Sequence, residues 1–202
     1  LLDDEHYLIY DSLEFRFGSS GFFLQGGGPH DIIVRNCVID SMLGLGGWST
    51  NSDDNSGAIV TYFEYGTRNC TFEGNEIFSC GDWDGYATPD TAMWDHYAGM
   101  WIYSCDSCLI RNNIIHDTRV GIGFKEEARY TEVYGNTFYN RSGVAMWARF
   151  GQTGISSSYT GPDHIMSRWH HNIAYNTPVC FQVAAGLTTG TYDDTLLYFY
   201  NN

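Results

Sequence analysis

Cations are scarce in this chain. Its 202 residues include only ten Lys plus Arg against 24 Asp plus Glu, a formal net charge of −14. Such a surface repels polyanions, so neither nucleic acid nor an anionic membrane is expected as a partner. Long apolar runs are missing as well. No stretch approaches the roughly 20 residues of a membrane span. No leader with a charged head and an apolar centre is visible. The opening "LLDDEHYLIY" has no initiator Met, which points to a segment upstream. Proline is limited to four residues, and no stretch sustains a helical 3.6-residue period.

The six cysteines lack a zinc pattern. "CDSC" at 105–108 is a single CxxC, and one such pair is weak evidence for metal or redox chemistry. These cysteines read as small buried core residues, with room for one or two disulfides.

What is present is glycine, at 23 residues, and aromatic side chains, at 16%. That composition excludes a disordered or collagen-like chain and fits one domain over residues 1–202 with a large core. The decisive feature is a repeated phrase. "NCTFEGNEIF" at 69–78 returns as "SCLIRNNIIH" at 107–116 and "YTEVYGNTFY" at 130–139. Anchoring each copy on its Asn gives Asn75, Asn113 and Asn136. The frame extends to Asn172 and Asn202, and backwards to Cys37 and Asp11. Three residues before the anchors stand Leu8, Val34, Phe72, Ile110, Val133 and Trp169. Two residues after stand Leu13, Ile39, Ile77, Ile115, Phe138 and Ala174. All twelve are apolar. One repeat of this size cannot bury its own apolar face, whereas stacked copies make a continuous core. The anchor side chains are then expected to form a hydrogen-bonded internal ladder.

"IIVRNCVID", "CLIRNNIIHD" and "TEVYGNTFYN" together resemble the right-handed parallel β-helix proteins, the architecture of pectate lyases and many other polysaccharide-active enzymes. The resemblance implies an all-β solenoid of about seven coils in an extracellular or cell-surface protein. It does not fix the activity, because the fold hosts lyases, hydrolases, epimerases, adhesins and phage tailspikes.

The unequal steps between anchors place long loops at one corner, in the stretches "SMLGLGGWSTNSDDNSGA" and "SCGDWDGYATPDTAMWDHYAG". Long loops over a rigid scaffold commonly carry function. The strand beside that corner is read by aligning "GMWIYSC", "GIGFKEE", "GVAMWAR" and "PVCFQVA". Met100, Ile122, Val144 and Val179 then point inwards, as do Ile102, Phe124, Met146 and Phe181. One outward column reads Tyr62, Tyr103, Lys125, Trp147 and Gln182. The next reads Glu64, Cys105, Glu127 and Arg149.

This shelf is the expected site, with a polysaccharide as partner. Lys125 and Arg149 on consecutive coils resemble the Lys/Arg pair of alginate-lyase and chondroitinase-type β-helix lyases. That resemblance implies Lys125 as the base and Arg149 as the stabiliser of the enolate charge. Ca²⁺ is the cofactor it suggests, with Glu126 and Glu127 as candidate ligands. Departures are plain: only "FKEEAR" and "WARFG" follow the two cations. A hydrolase would instead use two carboxylates, about 5–5.5 Å apart for retention or about 6.5–9.5 Å for inversion. Glu127 with Glu64 or a loop Asp would serve. Tyr103, Trp147, Trp101, Tyr62 and Gln182 are candidate sugar contacts on the shelf, and Asp84, Asp95 and His96 are candidates in the second loop. A third reading has no catalysis. Neither end shows a polar cap, so the coils would stack end to end as a filament or adhesin, or continue in further domains of a longer chain.

Overall fold

The computed structural model describes residues 2–3, 6–18, 20–25, 28–42, 56–61, 67–80, 97–103, 105–124, 128–140, 143–150, 164–185 and 197–200. The expected all-β architecture is what these residues form. Twenty-four strands and no helix occur among them, and every strand pairing is parallel. Each strand is short because each serves one side of a coil.

The strands stack into four sheets. Sheet I has seven strands: Leu2–Asp3, Phe22–Gln25, Ser56–Thr61, Tyr97–Ile102, Val120–Phe124, Val144–Phe150 and Val179–Ala185. Sheet II has four: Thr67–Arg68, Cys105–Asp106, Ala128–Arg129 and His164–Ile165. Sheet III has seven: Ile9–Asp11, Ile33–Arg35, Thr71–Glu73, Leu109–Arg111, Glu132–Tyr134, Ser167–His170 and Leu197–Tyr200. Sheet IV has six: Glu14–Arg16, Val38–Asp40, Glu76–Phe78, Ile114–His116, Thr137–Tyr139 and Ile173–Tyr175. The chain visits them in that order on each turn, so strands adjacent in space are one coil apart in sequence. This is a parallel β-helix of six to seven coils.

The corners are as regular as the sheets. Among the described residues, the sixteen non-glycine residues with positive φ fall in three columns. Between sheets II and III stand Tyr7, Asp31, Asn69, Ser107, Tyr130 and Met166. Between III and IV stand Ser12, Asn36, Asn112 and His171. After IV stand Phe17, Ser41, Ser79, Asp117, Asn140 and Asn176. A left-handed residue costs about 1–2 kcal/mol for an L side chain. Here each cost is offset by keeping the ladder unbroken around the bend. Asn36 N–H donates to Glu73 C=O at 3.1 Å, Gly74 to Arg111 at 3.1 Å and Asn112 to Tyr134 at 3.1 Å. Glycine is required at Gly74, where φ is +62° and a Cβ would lie 2.9 Å from Asn36 Oδ1.

The two apolar columns close on each other. Val34, Phe72, Ile110, Val133 and Trp169 share one core with Ile39, Ile77, Ile115 and Phe138. The anchors form the expected ladder between them. Asn75 donates its backbone N–H and its side-chain amide to Asn113 Oδ1, each at 3.0 Å. Asn113 does the same to Asn136 at 3.0 and 2.9 Å, and Asn136 to Asn172 at 3.1 and 2.9 Å. Cys37 N–H ends the series on Asn75 Oδ1 at 3.0 Å.

Two expectations change. The first-coil anchor is Leu13, not Asp11, because Tyr10 pairs with Val34 and Phe15 with Ile39. The first-coil core residues are therefore Tyr10 and Phe15, both packed on the core, while Leu8 and Leu13 lie off those columns. The cysteines form no disulfide: all six are free, five of them buried and Cys180 exposed. The final anchor, Asn202, lies outside the described residues, although Trp169 does pair with Phe199 three residues before it.

Candidate functional site

The expected shelf lies on the outer face of sheet I, and the backbone register there differs from simple alternation. Ala98 pairs with Val120, Val120 with Val144, and Val144 with Val179. Met100, Ile122, Met146 and Phe181 form the next row. The sequence alignment had set Val144 and Val179 beside Met100 and Ile122, a slip of two residues. The alignment matches Gly143 to Gly99 and Gly121, whereas their row continues through Ala145, and alternation also breaks in this row. A Cβ on Gly99 would meet Ile115 at 2.8 Å and one on Gly121 would meet Phe138 at 2.7 Å, so these glycines and the following Met100 and Ile122 all face the core. Val144 turns the other way, and Val179 is exposed.

The correction regroups the shelf. Trp147 lies opposite Gly123 and Gln182, in the row that also holds Trp101, Val60 and Phe23. Cys105 leaves the shelf altogether: it sits in sheet II, pairs with Thr67 and Ala128, and is buried. Phe124 pairs with Ala148, and Arg149 pairs with Ala184. Lys125, Glu126, Glu127, Tyr62, Glu64, Asp84, Asp95 and His96 lie outside the described residues.

Trp101, Tyr103 and Trp147 are not open sugar platforms. They are 0%, 2% and 7% exposed, in a second apolar cluster with Val60, Ala98, Val120 and Val144. Trp101 meets Trp147 edge-on, with ring centroids 5.6 Å apart, and lies over Gly123, where a Cβ would be 2.0 Å from the indole. Gln182 is exposed on the same row.

Two polar features escaped the sequence reading. The first runs up the outer face of sheet III, two residues before each anchor: Asp11, Arg35, Glu73, Arg111, Tyr134 and His170. Arg35 Nε donates to Asp11 at 2.8 Å. Hydrogen bonds from Asn36 and Arg35 hold the Asp11 carboxyl below its usual range. Arg111 donates from Nε and Nη2 to Glu73 Oε2 at 2.6 and 2.5 Å, and from Nη1 to Tyr134 Oη at 2.9 Å. Those contacts with Tyr134 and Glu73 hold its proton more tightly still. Tyr134 stacks on His170, centroids 5.1 Å apart and planes 3° from parallel. His170 Nε2 lies 2.9 Å from Glu132 Oε1, and its Nδ1 lies 2.7 Å from His171 Nδ1.

The second runs up sheet IV, three residues after each anchor. Phe78 stacks on His116 at 5.0 Å, His116 on Tyr139 at 4.6 Å, and Tyr139 on Tyr175 at 5.2 Å, all within 9° of parallel. His116 Nδ1 contacts Asp117 at 2.6 Å. Both columns could have been found from the anchor frame by reading outward positions as well as apolar ones.

The anchor ladder, the all-parallel sheets and the family comparison agree. Residues 1–161 match the family model described as a right-handed β-helix region. The chain belongs to the right-handed β-helix family. No curated protein and no solved structure matches it. The β-helix therefore supplies a rigid outer surface of stacked columns, on which chemistry depends on the side chains each coil presents. Among the described residues no group of three or more His, Cys, Asp or Glu side chains is arranged to hold a metal ion.

Proposed function

We propose that this β-helix is an extracellular polysaccharide-degrading enzyme that binds a glycan along its outer face and cleaves it by β-elimination. The observation that carries the reading is the register of sheet I. Phe124 pairs with Ala148, and each is followed directly in sequence by a cation, Lys125 and Arg149. The two cations thus each follow one member of a paired couple of residues, in a chain with only ten cations, which supports reading them together. Tyr103 follows Ile102, which pairs with Phe124, and so belongs to the same series.

In the proposed reaction the Lys125 amine removes the proton beside the uronate carboxylate. The electron pair forms the C=C bond as the glycosidic C–O bond breaks, and the leaving oxygen takes a proton. Arg149 stabilises the enolate charge that develops. Bound Ca²⁺, held by Glu126 and Glu127, would offset the substrate carboxylate.

The test is digestion of uronate and neutral polysaccharides, with Ca²⁺ or with EDTA. Ultraviolet absorbance reports the unsaturated product, and a reducing-end assay reports any cleavage. A rise in both, abolished in Lys125→Ala, is expected. Reducing ends without the unsaturated product would replace elimination by hydrolysis, with Glu127 and a loop Asp as the carboxylate pair. Silence in both would leave a non-catalytic glycan-binding or filament-forming β-helix.

A further inference from the structure

We propose that the outer face of sheet III carries a separate glycan-binding strip, centred on Arg111, Tyr134 and His170, that takes a neutral polysaccharide lying parallel to the solenoid axis. The strip does not rest on the eliminative reading, since it shares no residue with it.

Spacing comes first. The three residues occupy one column on consecutive coils. Neighbouring strands lie about 4.8 Å apart, close to the length of one pyranose unit in an extended chain. A glycan along the column would present one sugar to each coil.

Charge selects the class. Arg111 is neutralised by Glu73, and the His170 imidazole faces Glu132. Arg168, the exposed strand partner of Glu132, balances that carboxylate, so the formal charges of Glu73, Arg111, Glu132 and Arg168 cancel on this face and the match is to hydroxyl groups.

Hydrogen bonding completes the fit. Three of the Arg111 N–H groups are engaged by Glu73 and Tyr134, which leaves two of the five that a guanidinium carries. Tyr134 Oη accepts from Arg111, so its own O–H remains to donate. Glu73 Oε1 and Glu132 Oε2 have no partner among the described residues. Vicinal hydroxyls of a pyranose need a donor and an acceptor side by side, and the Arg111–Glu73 pair offers that arrangement. The groups are half-open: the side chains of Arg111, Glu73 and Glu132 are 35%, 24% and 35% exposed. Their mutual bonds and the Tyr134–His170 stack fix them before a ligand arrives, which lowers the ordering cost of binding.

Affinity electrophoresis and calorimetry test the strip, with a β-glucan, a mannan and a galactan as neutral probes and polygalacturonate as the anionic one. The intact chain is expected to bind at least one neutral probe more tightly than polygalacturonate. Tyr134→Phe keeps the ring stack and removes the O–H, and should weaken that binding about threefold to tenfold. Arg111→Lys should weaken it at least as much, because an ammonium cannot keep the bidentate geometry. Tyr139→Phe, on sheet IV, should bind like the unaltered chain. Thermal unfolding of each variant shows that it is folded. No binding to any neutral probe, unchanged affinity in both sheet III variants, or a preference for polygalacturonate lost in those variants would overturn the proposal. Elimination activity without neutral binding would sink the strip and leave the lyase reading standing; neutral binding without elimination would do the reverse.

Discussion

Asn75 and Asn113 stand on consecutive coils, and one atom of Asn113 receives both the backbone N–H and the side-chain amide of Asn75, each at 3.0 Å. The same Asn113 amide donates to Phe72 C=O at 2.9 Å. With its second amide bond, to Asn136 Oδ1 at 2.9 Å, a single carboxamide satisfies two donors and two acceptors at a corner where water cannot reach, and it is itself fully buried.

Replacing Asn113 by Ala strips this partner from the two Asn75 donors and from Phe72 C=O, while Asn136 Oδ1 keeps the Asn113 backbone N–H. Each orphaned buried group costs about 1–3 kcal/mol, so Asn113→Ala should lower unfolding free energy by roughly 3–5 kcal/mol. Urea denaturation followed by circular dichroism measures this. A loss below about 1 kcal/mol would show that the ladder is dispensable.

Gly121→Ala should be among the most damaging small substitutions. Its Cβ would lie 2.2 Å from the Ala145 carbonyl oxygen and 2.7 Å from Phe138, between backbone and a packed ring. Overpacking of this kind costs about 1–3 kcal/mol or more. Gly123→Ala collides with the buried Trp101 indole instead, so a shift in tryptophan fluorescence should accompany its loss of stability. Unchanged fluorescence and melting temperature in Gly123→Ala would contradict the packing of Trp101 over that glycine.

His116 is sandwiched between Phe78 and Tyr139. Each stack is worth about 0.5–1.5 kcal/mol beyond burial, so His116→Ala should cost roughly 1–3 kcal/mol. Tyr175, which among the described residues stacks on Tyr139 alone, should cost less when truncated. The order of the two in chemical denaturation tests the column as a cooperative stack.

Thiol chemistry offers a pH test. Burial pushes Cys80 from 9.0 up to about 12, and contact with Cys108 together with burial pushes Cys70 up as well. In the folded protein a thiol reagent should modify Cys180 alone, with the other five reacting after denaturation. A raised folded-state pKa means the contribution to stability is complete below the unfolded value of 9.0 and lost as pH rises towards about 12. Above pH 9 stability should fall by roughly 1.4 kcal/mol per pH unit for each thiol still protonated only in the fold. Rapid native labelling of several cysteines would refute their burial.

The sequence by itself determined the repeat. Apolar residues three before and two after each anchor, and an amide at the anchor, specify a stacked coil because no other arrangement buries both columns at once. From Cys37 to Asn172 that frame coincides with the pairing register. It failed at the first coil because Leu13 has no buried amide beneath it to match, and Asp11 resembled an anchor in polarity alone. Only the tertiary structure decided the outer surfaces. Alternation counts residues in steps of two, and on sheet I two successive residues, Gly99 and Met100, face the core; Trp147 and Gln182 moved by two because Ala145, not the glycine at 143, continues the row of Gly99 and Gly121. Trp101, Tyr103 and Trp147 read as exposed rings in sequence and are buried in a second cluster, since a residue facing away from the first core can still be covered by packing that no local period records. The Arg111, Tyr134 and His170 column was present in the same frame, yet its meaning lies in contacts between coils 23 to 38 residues apart, which only the stack brings together.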